Sequence, residues 1–261
     1  MKDNNWINKE QRAAVAVQHT KEMDAKYSEH IKDSIKRTKI YNPIDFEFAS
    51  SLEPSDPHGL IADIDSVGAA YEFQEGKTAI LNFASHKHPG GFFIGGSKAQ
   101  EECLCHESNL YNILRTFDDT YYEYNRRNLN NALYINRALY TPDVIFSRQG
   151  KVWKCDVITC AAPNKTAAQK YCNVSDETNH AILQSRIQFV LNIAQENDVD
   201  TLILGAYGCG VFGQDPEEVA AIFKILLPYY NFKKIIFAIP KGNGNFDAFI
   251  KIWKQKENQN E

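Results

Sequence analysis

The sequence predicts an α/β fold in which a central, largely parallel sheet follows an N-terminal helical extension. Three observations carry that reading. Short apolar segments alternate with helical segments of roughly ten to twenty residues, the rhythm of strand–helix–strand units. Leu202-Ile203-Leu204 and Ile235-Ile236-Phe237-Ala238-Ile239 are apolar throughout rather than at every second position, which suits strands covered on both faces. The glycine-bearing stretches directly follow strand segments, where open α/β sheets keep their ligand sites.

The elements follow in order. Asn8 to Lys39 reads as helix: it lacks Pro and Gly, and Val15, His19, Met23, Tyr27 and Ile31 recur every four residues. Pro43 and Pro54-Ser55-Asp56-Pro57-His58-Gly59 mark loops. Thr78 to Phe83 is a strand entering a glycine loop, and Ala99 to Thr116 is helix. Tyr121 to Arg137, rich in Asn and Tyr, is irregular. Asp143 to Phe146 and Val157 to Cys160 are strands, Glu177 to Glu196 is helix and Thr201 to Gly205 is strand. Glu217 to Leu227 is helix, Lys234 to Ile239 strand, and Phe246 to Lys254 a closing amphipathic helix. The domain boundaries expected are 1–60 for the extension, 61–256 for the α/β domain and 257–261 for a frayed tail.

A chain of 261 residues, 43% hydrophobic and 24% charged, can bury a full core. A net charge of −4 offers no broad attraction to nucleic acid or anionic membrane, so an anionic ligand must be held by a local site. No apolar run reaches membrane-spanning length, and the N-terminus lacks the apolar stretch of a signal peptide, so a cytoplasmic protein is expected. Cys103, Cys105, Cys155, Cys160, Cys172 and Cys209 show no Cys-x-x-Cys pair and no zinc spacing. Reduced thiols without a metal are the reading. His86, His88 and His106 flank the glycine loop without partners at ligand spacing and read as loop or surface residues.

The chemistry concentrates in Pro89-Gly90-Gly91-Phe92-Phe93-Ile94-Gly95-Gly96, followed by Gln100-Glu101-Glu102 at a helix start. Glycines let backbone amides approach anionic oxygens closely. Acidic residues also favour a helix N-terminus for its dipole alone. Behind a glycine loop, however, two carboxylates make sense if one must reach a reacting bond. Gly208-Cys209-Gly210-Val211-Phe212-Gly213 formally fits a dinucleotide fingerprint, but it lies late in the chain and no acid ends the next strand. It reads as a diphosphate cradle instead. Asp215-Pro216-Glu217-Glu218 behind it forms a helix cap whose acids would repel phosphate, leaving the amides of Gly208 to Phe212 to hold it. Ala161-Ala162-Pro163-Asn164 is either an ordinary turn or part of a cleft wall.

These blocks, with Asn82-Phe83-Ala84-Ser85 and Leu110-Tyr111, resemble the microbial-type poly(ADP-ribose) glycohydrolases over roughly the last two hundred residues. That family's signature is Gly-Gly-Gly followed by Gln-Glu-Glu. Here Phe92 stands where the third glycine falls, and Ser85 where animal-type members carry an Asn that contacts the distal ribose. The resemblance implies a macrodomain-like three-layer α/β/α domain that hydrolyses ADP-ribosyl linkages without metal or redox cofactor. It puts the acid/base on Glu102 and a ribose-binding carboxylate on Glu101, and it places ligand contacts at Asn82, Ser85, Gly90, Gly91, Phe92 and Gln100, and at Gly208, Cys209, Gly210, Val211 and Phe212. The acid/base role asks for a raised pKa at Glu102, which its neighbour and a desolvated cleft would favour. The expected partner is ADP-ribose or its polymer, free or attached to protein, bound by a monomer. Removal of single ADP-ribose units and non-catalytic ADP-ribose binding are the alternatives.

Overall fold

In a computed structural model, residues 8–43 and 59–254 are described. The long helix α1 (Lys9–Arg37) starts where Asn8 accepts a hydrogen bond from the Gln11 amide at 2.8 Å, and is kinked at Tyr27. Then follow β1 (Lys39–Tyr41), β2 (Gly59–Ala62), α2 (Ser66–Glu72) and β3 (Thr78–Phe83). Next come α3 (Gln100–His106), α4 (Leu110–Leu114), α5 (Glu123–Arg127), β4 (Ala138–Arg148) and β5 (Lys151–Cys160). The chain continues through α6 (Lys165–Cys172), α7 (Asp176–Glu196), β6 (Thr201–Leu204), α8 (Pro216–Leu226), β7 (Lys234–Ala238) and α9 (Asn245–Lys254). The frayed tail expected at 257–261 and most of the expected loop at 54–59 lie outside the described residues.

Seven strands form one sheet in the order β1-β4-β5-β3-β6-β7-β2, with β5, β3, β6, β7 and β2 mutually parallel and β4 antiparallel between β1 and β5. Alternate residues of a strand feed opposite cores. Ala79 and Leu81 of β3 pack with α7, α8 and α9, whereas Ile80 packs with α1, α2, α3 and α4. The expected mixed, largely parallel sheet between helical layers is thus the fold.

Several expectations fail for tertiary reasons. The helix expected over 99–116 is broken between α3 and α4, because β4 docks into the break. Ser147 donates to the Glu107 carbonyl at 2.7 Å and Asn109 to that of Ile145 at 3.1 Å. The strands expected at 143–146 and 157–160 are the ends of a longer hairpin. Its two-residue turn, Gln149-Gly150, has positive φ at both positions (52° and 79°), matching the twist of the strands it joins. The elements β1, β2, α2 and α6 were not expected from the sequence, nor was α5 within the stretch 121–137 read as irregular. The N-terminal helix packs on α4 and β4, and its first turn braces the glycine loop. Arg12 donates to the Gly96 carbonyl at 2.6 Å, and the Lys9 ammonium sits 4.8 Å from the Phe92 ring centroid. Among the described residues, no helix is long and apolar enough to cross a membrane.

Candidate active site

Five strand ends open on one cleft of about 850 Å³, lined by the segments that follow β2, β3, β5, β6 and β7. The sequence placed motifs after three of these strands. The segments after β2 (Asp65, Ser66) and β7 (Pro240 to Asn243) were missed, although Gly242 and Gly244 beside Pro240 marked the latter as a loop.

Glu101 and Glu102 open α3 and are nearly buried, at 2% and 6% exposure. Their surroundings differ. Glu101 accepts from the Ser85 amide at 2.7 Å and from Asn82 Nδ2 at 3.2 Å. Glu102 Oε1 accepts from the Phe92 amide at 2.9 Å, while its buried Oε2 has no hydrogen-bond partner among the described residues. Burial pushes Glu101 from an ordinary 4.5 to about 8, against the lowering effect of the Ser85 and Asn82 hydrogen bonds.

That shift has a measurable consequence. Because the folded state keeps the Glu101 proton to about pH 8 while the unfolded chain releases it near 4.5, its contribution to stability is full below about 4.5 and is lost as pH rises to about 8. One such proton contributes a slope of about 1.4 kcal/mol per pH unit at most. Urea unfolding from pH 5 to 8 should show a shallower decline in Glu101→Gln than in the parent. Equal slopes would contradict the assignment.

Of the residues expected at the site, Ser85, Gly91, Gln100, Glu101, Glu102, Gly208, Gly210, Val211 and Phe212 line the cleft. Gln100 works as a clamp on β3, accepting from the Phe83 amide at 2.8 Å and donating to the Leu81 carbonyl at 2.9 Å. Four residues sit away from the wall. Asn82 is fully buried, bonded to Glu101 and to Thr159. Gly90 adopts φ of 65° and gives Tyr111 room, since a Cβ there would meet its Cδ2 at 2.7 Å. Cys209 packs against the core, and burial pushes its thiol up to about 12, which removes it as a nucleophile at neutral pH.

Phe92 is the fourth. The residue is 57% exposed and does not line the cleft, its ring lying beside the Lys9 ammonium, so it does not occupy the space that a third glycine would leave open. The loop uses its amide, not its ring. Phe92→Gly should keep turnover within about threefold of the parent and cost on the order of 1 kcal/mol in stability through added chain entropy. Complete loss of turnover in a folded variant would make the ring a substrate contact.

The second glycine loop is more occupied than expected. Its Cys209, Gly213 and Gln214 amides donate to the carbonyls of Ala206, Gly210 and Gly208, leaving the amides of Gly208, Gly210, Val211 and Phe212 without partners among the described residues. Val211 is 86% exposed on the rim. As expected, Asp215 caps α8 with Pro216 behind it, accepting from the Glu217 and Glu218 amides. Asn164 takes the ordinary role, capping α6 through the Ala167 amide at 3.0 Å.

His86 corrects its expectation. It is buried on the cleft wall, its ring stacked on Tyr134 with centroids 4.1 Å apart, and burial then the Arg186 charge push its pKa down to about 4. His106 is half-buried against Phe93, whereas His88 is exposed as expected. Tyr134, also missed, stands edge-on to Phe212 at 6.0 Å. Both came from segments whose sequence carries no periodic signal.

The family described as the microbial-type PARG catalytic domain matches residues 9–149. The chain is similar to the poly(ADP-ribose) glycohydrolase of Thermomonospora curvata solved with the inhibitor ADP-HPD: identity is 28%, 93% of this chain and 99% of that one are covered, and the TM-score is 0.81. It is also similar to the poly(ADP-ribose) glycohydrolase of Deinococcus radiodurans in complex with ADP-ribose, at 29% identity over 87% of this chain and 98% of that one, with a TM-score of 0.76. No curated protein matches.

Proposed function

Because the chain belongs to the family of microbial-type PARG catalytic domains, we propose that the cleft is its active site, with Glu102 as acid and base and Glu101 as the carboxyl group that holds the ribose. The protein is a poly(ADP-ribose) glycohydrolase that binds ADP-ribose. One observation carries the assignment of roles. Glu102 lines the cleft with one oxygen fixed by the Phe92 amide and the other buried without a hydrogen-bond partner among the described residues. An orphaned buried oxygen is costly unless a ligand satisfies it.

Cleaving the ribosyl bond builds oxocarbenium-like charge on the sugar. Glu102 gives a proton to the leaving oxygen, then takes one from the water that adds to the ribose carbon. Glu101, anchored from two sides, is too constrained for that exchange and suits holding hydroxyls. The amides of Gly210, Val211 and Phe212 cradle the diphosphate. Six free thiols suit the cytoplasm.

The test is chromatographic detection of ADP-ribose released from poly(ADP-ribose) and, separately, from mono-ADP-ribosylated protein. Release from the polymer is expected, as is weaker calorimetric binding of AMP than of ADP-ribose. A folded protein that binds ADP-ribose but releases none would be a binding module.

A further inference from the structure

The cleft wall that carries Tyr134 is built from backbone that has to be held. Asn130, Asn131, Ala132 and Tyr134 have φ values of 44°, 51°, 66° and 62°, a conformation that side-chain-bearing residues rarely adopt. Asn164 N–H holds this segment from the side, donating to the Ala132 carbonyl at 3.0 Å, and Asn130 Nδ2 ties it internally to the Tyr134 carbonyl at 2.9 Å. The third hold comes from α7.

Arg186 is fully buried, yet among the described residues no carboxylate lies within ion-pair distance of it. Its guanidinium donates instead to neutral oxygens: Asn136 Oδ1 at 2.7 Å, the Leu133 carbonyl at 3.3 Å and the Ala161 carbonyl. Burying a cation without a counterion is an expensive way to gain cohesion, and an apolar side chain would serve better. What the planar fork does supply is geometry, because it sets several acceptors at once. Its two carbonyl partners immediately precede Tyr134 and Ala162, both on the cleft wall. Tyr134 in turn stacks on His86 and meets the edge of Phe212.

We propose that Arg186 is a positioning residue for the reaction: by pinning the Leu133 and Ala161 carbonyls it sets Tyr134, and through Tyr134 the His86 and Phe212 rings, as the wall that turns the ribose toward Glu102. The inference rests on the reading that the Glu101–Glu102 end of the cleft receives the ribose. The low pKa of His86 fits this arrangement, since an uncharged ring stacks on Tyr134 at neutral pH without adding a second cation beside Arg186.

The test compares the parent with Arg186→Lys, Tyr134→Ala, Tyr134→Phe and the Arg186→Lys/Tyr134→Ala double variant. Steady-state turnover of poly(ADP-ribose) is measured together with calorimetric affinities for ADP-ribose and AMP. Arg186→Lys and Tyr134→Ala should each lower kcat tenfold or more and weaken ADP-ribose at least fivefold, with AMP within twofold of the parent. Tyr134→Phe keeps the stack and should restore parental values. The double variant should be no worse than the stronger single one, because both act through one wall. The proposal is overturned if both singles keep kcat within threefold, or if ADP-ribose and AMP affinities fall together as in general loosening of the fold. Should Arg186→Lys fail to fold, the two Tyr134 variants decide by the same criteria. A parent that neither binds ADP-ribose nor cleaves the polymer overturns the functional reading and this one with it. An active parent with indifferent variants sinks this inference alone.

Discussion

Glu102→Gln should lower turnover of poly(ADP-ribose) by about 10²- to 10⁴-fold or more, the range that general acid–base catalysis supplies. The amide keeps the shape of the side chain, and its oxygen can still accept from the Phe92 N–H. Only the titrating group disappears. Binding of ADP-ribose should therefore persist, since the amides of the second glycine loop are untouched. Glu101→Gln should behave differently, weakening binding and turnover together through its contacts with Ser85 and Asn82. A role limited to the helix dipole would leave the kinetics of both variants unaltered. Steady-state assays on the two, with folding checked by circular dichroism, distinguish these outcomes. If Glu102→Gln stays within about threefold of the parent, the acid/base assignment must be abandoned.

Gly91→Ala should be nearly as damaging, although it removes no functional group. Gly91 has φ of 61°, and a Cβ there would fall inside contact distance of Glu102 Oε1 and 3.0 Å from Glu101 Oε2. Neither carboxylate can yield freely, because each is tied to the loop or strand behind it by backbone amides. The added methyl must displace Glu102, the Phe92 amide, or both. Misplacing a catalytic group by about 1 Å can cost on the order of a hundredfold in rate. A loss of about that size is expected, together with a drop in melting temperature from the strained φ. Parental turnover in a folded Gly91→Ala would show that the loop gives way without moving the acid.

How far the site was legible depended on where its signal lay. The loop glycines, the Gln-Glu-Glu run and the cap at Asp215 are local: one stretch of chain states both the backbone requirement and the chemistry. Phe92 shows the limit of such reading. The sequence shows a ring in place of a family glycine but not which way it points, whereas in the fold Phe92 stays off the cleft lining and its amide bonds Glu102. The burial of Glu101 shows it too. Adjacency in sequence treats Glu101 and Glu102 alike, whereas burial against β3 bears on Glu101 according to what packs around it.

By itself, the sequence determined the layer order and the chemistry of the loops. Strand apolarity, helix periodicity, capping and glycine spacing are all encoded within a few neighbouring residues, so they can be read without knowing the fold. Tertiary structure alone decided the break between α3 and α4, the burial of His86, the outward turn of Phe92 and the wall formed by Tyr134 around Arg186. Each depends on a partner distant in the chain: β4 for the helix break, α1 for Phe92, and α7 for the loops at Leu133 and Ala161. Contacts of that kind are chosen by packing and by where buried polar groups find acceptors, and no local pattern records them.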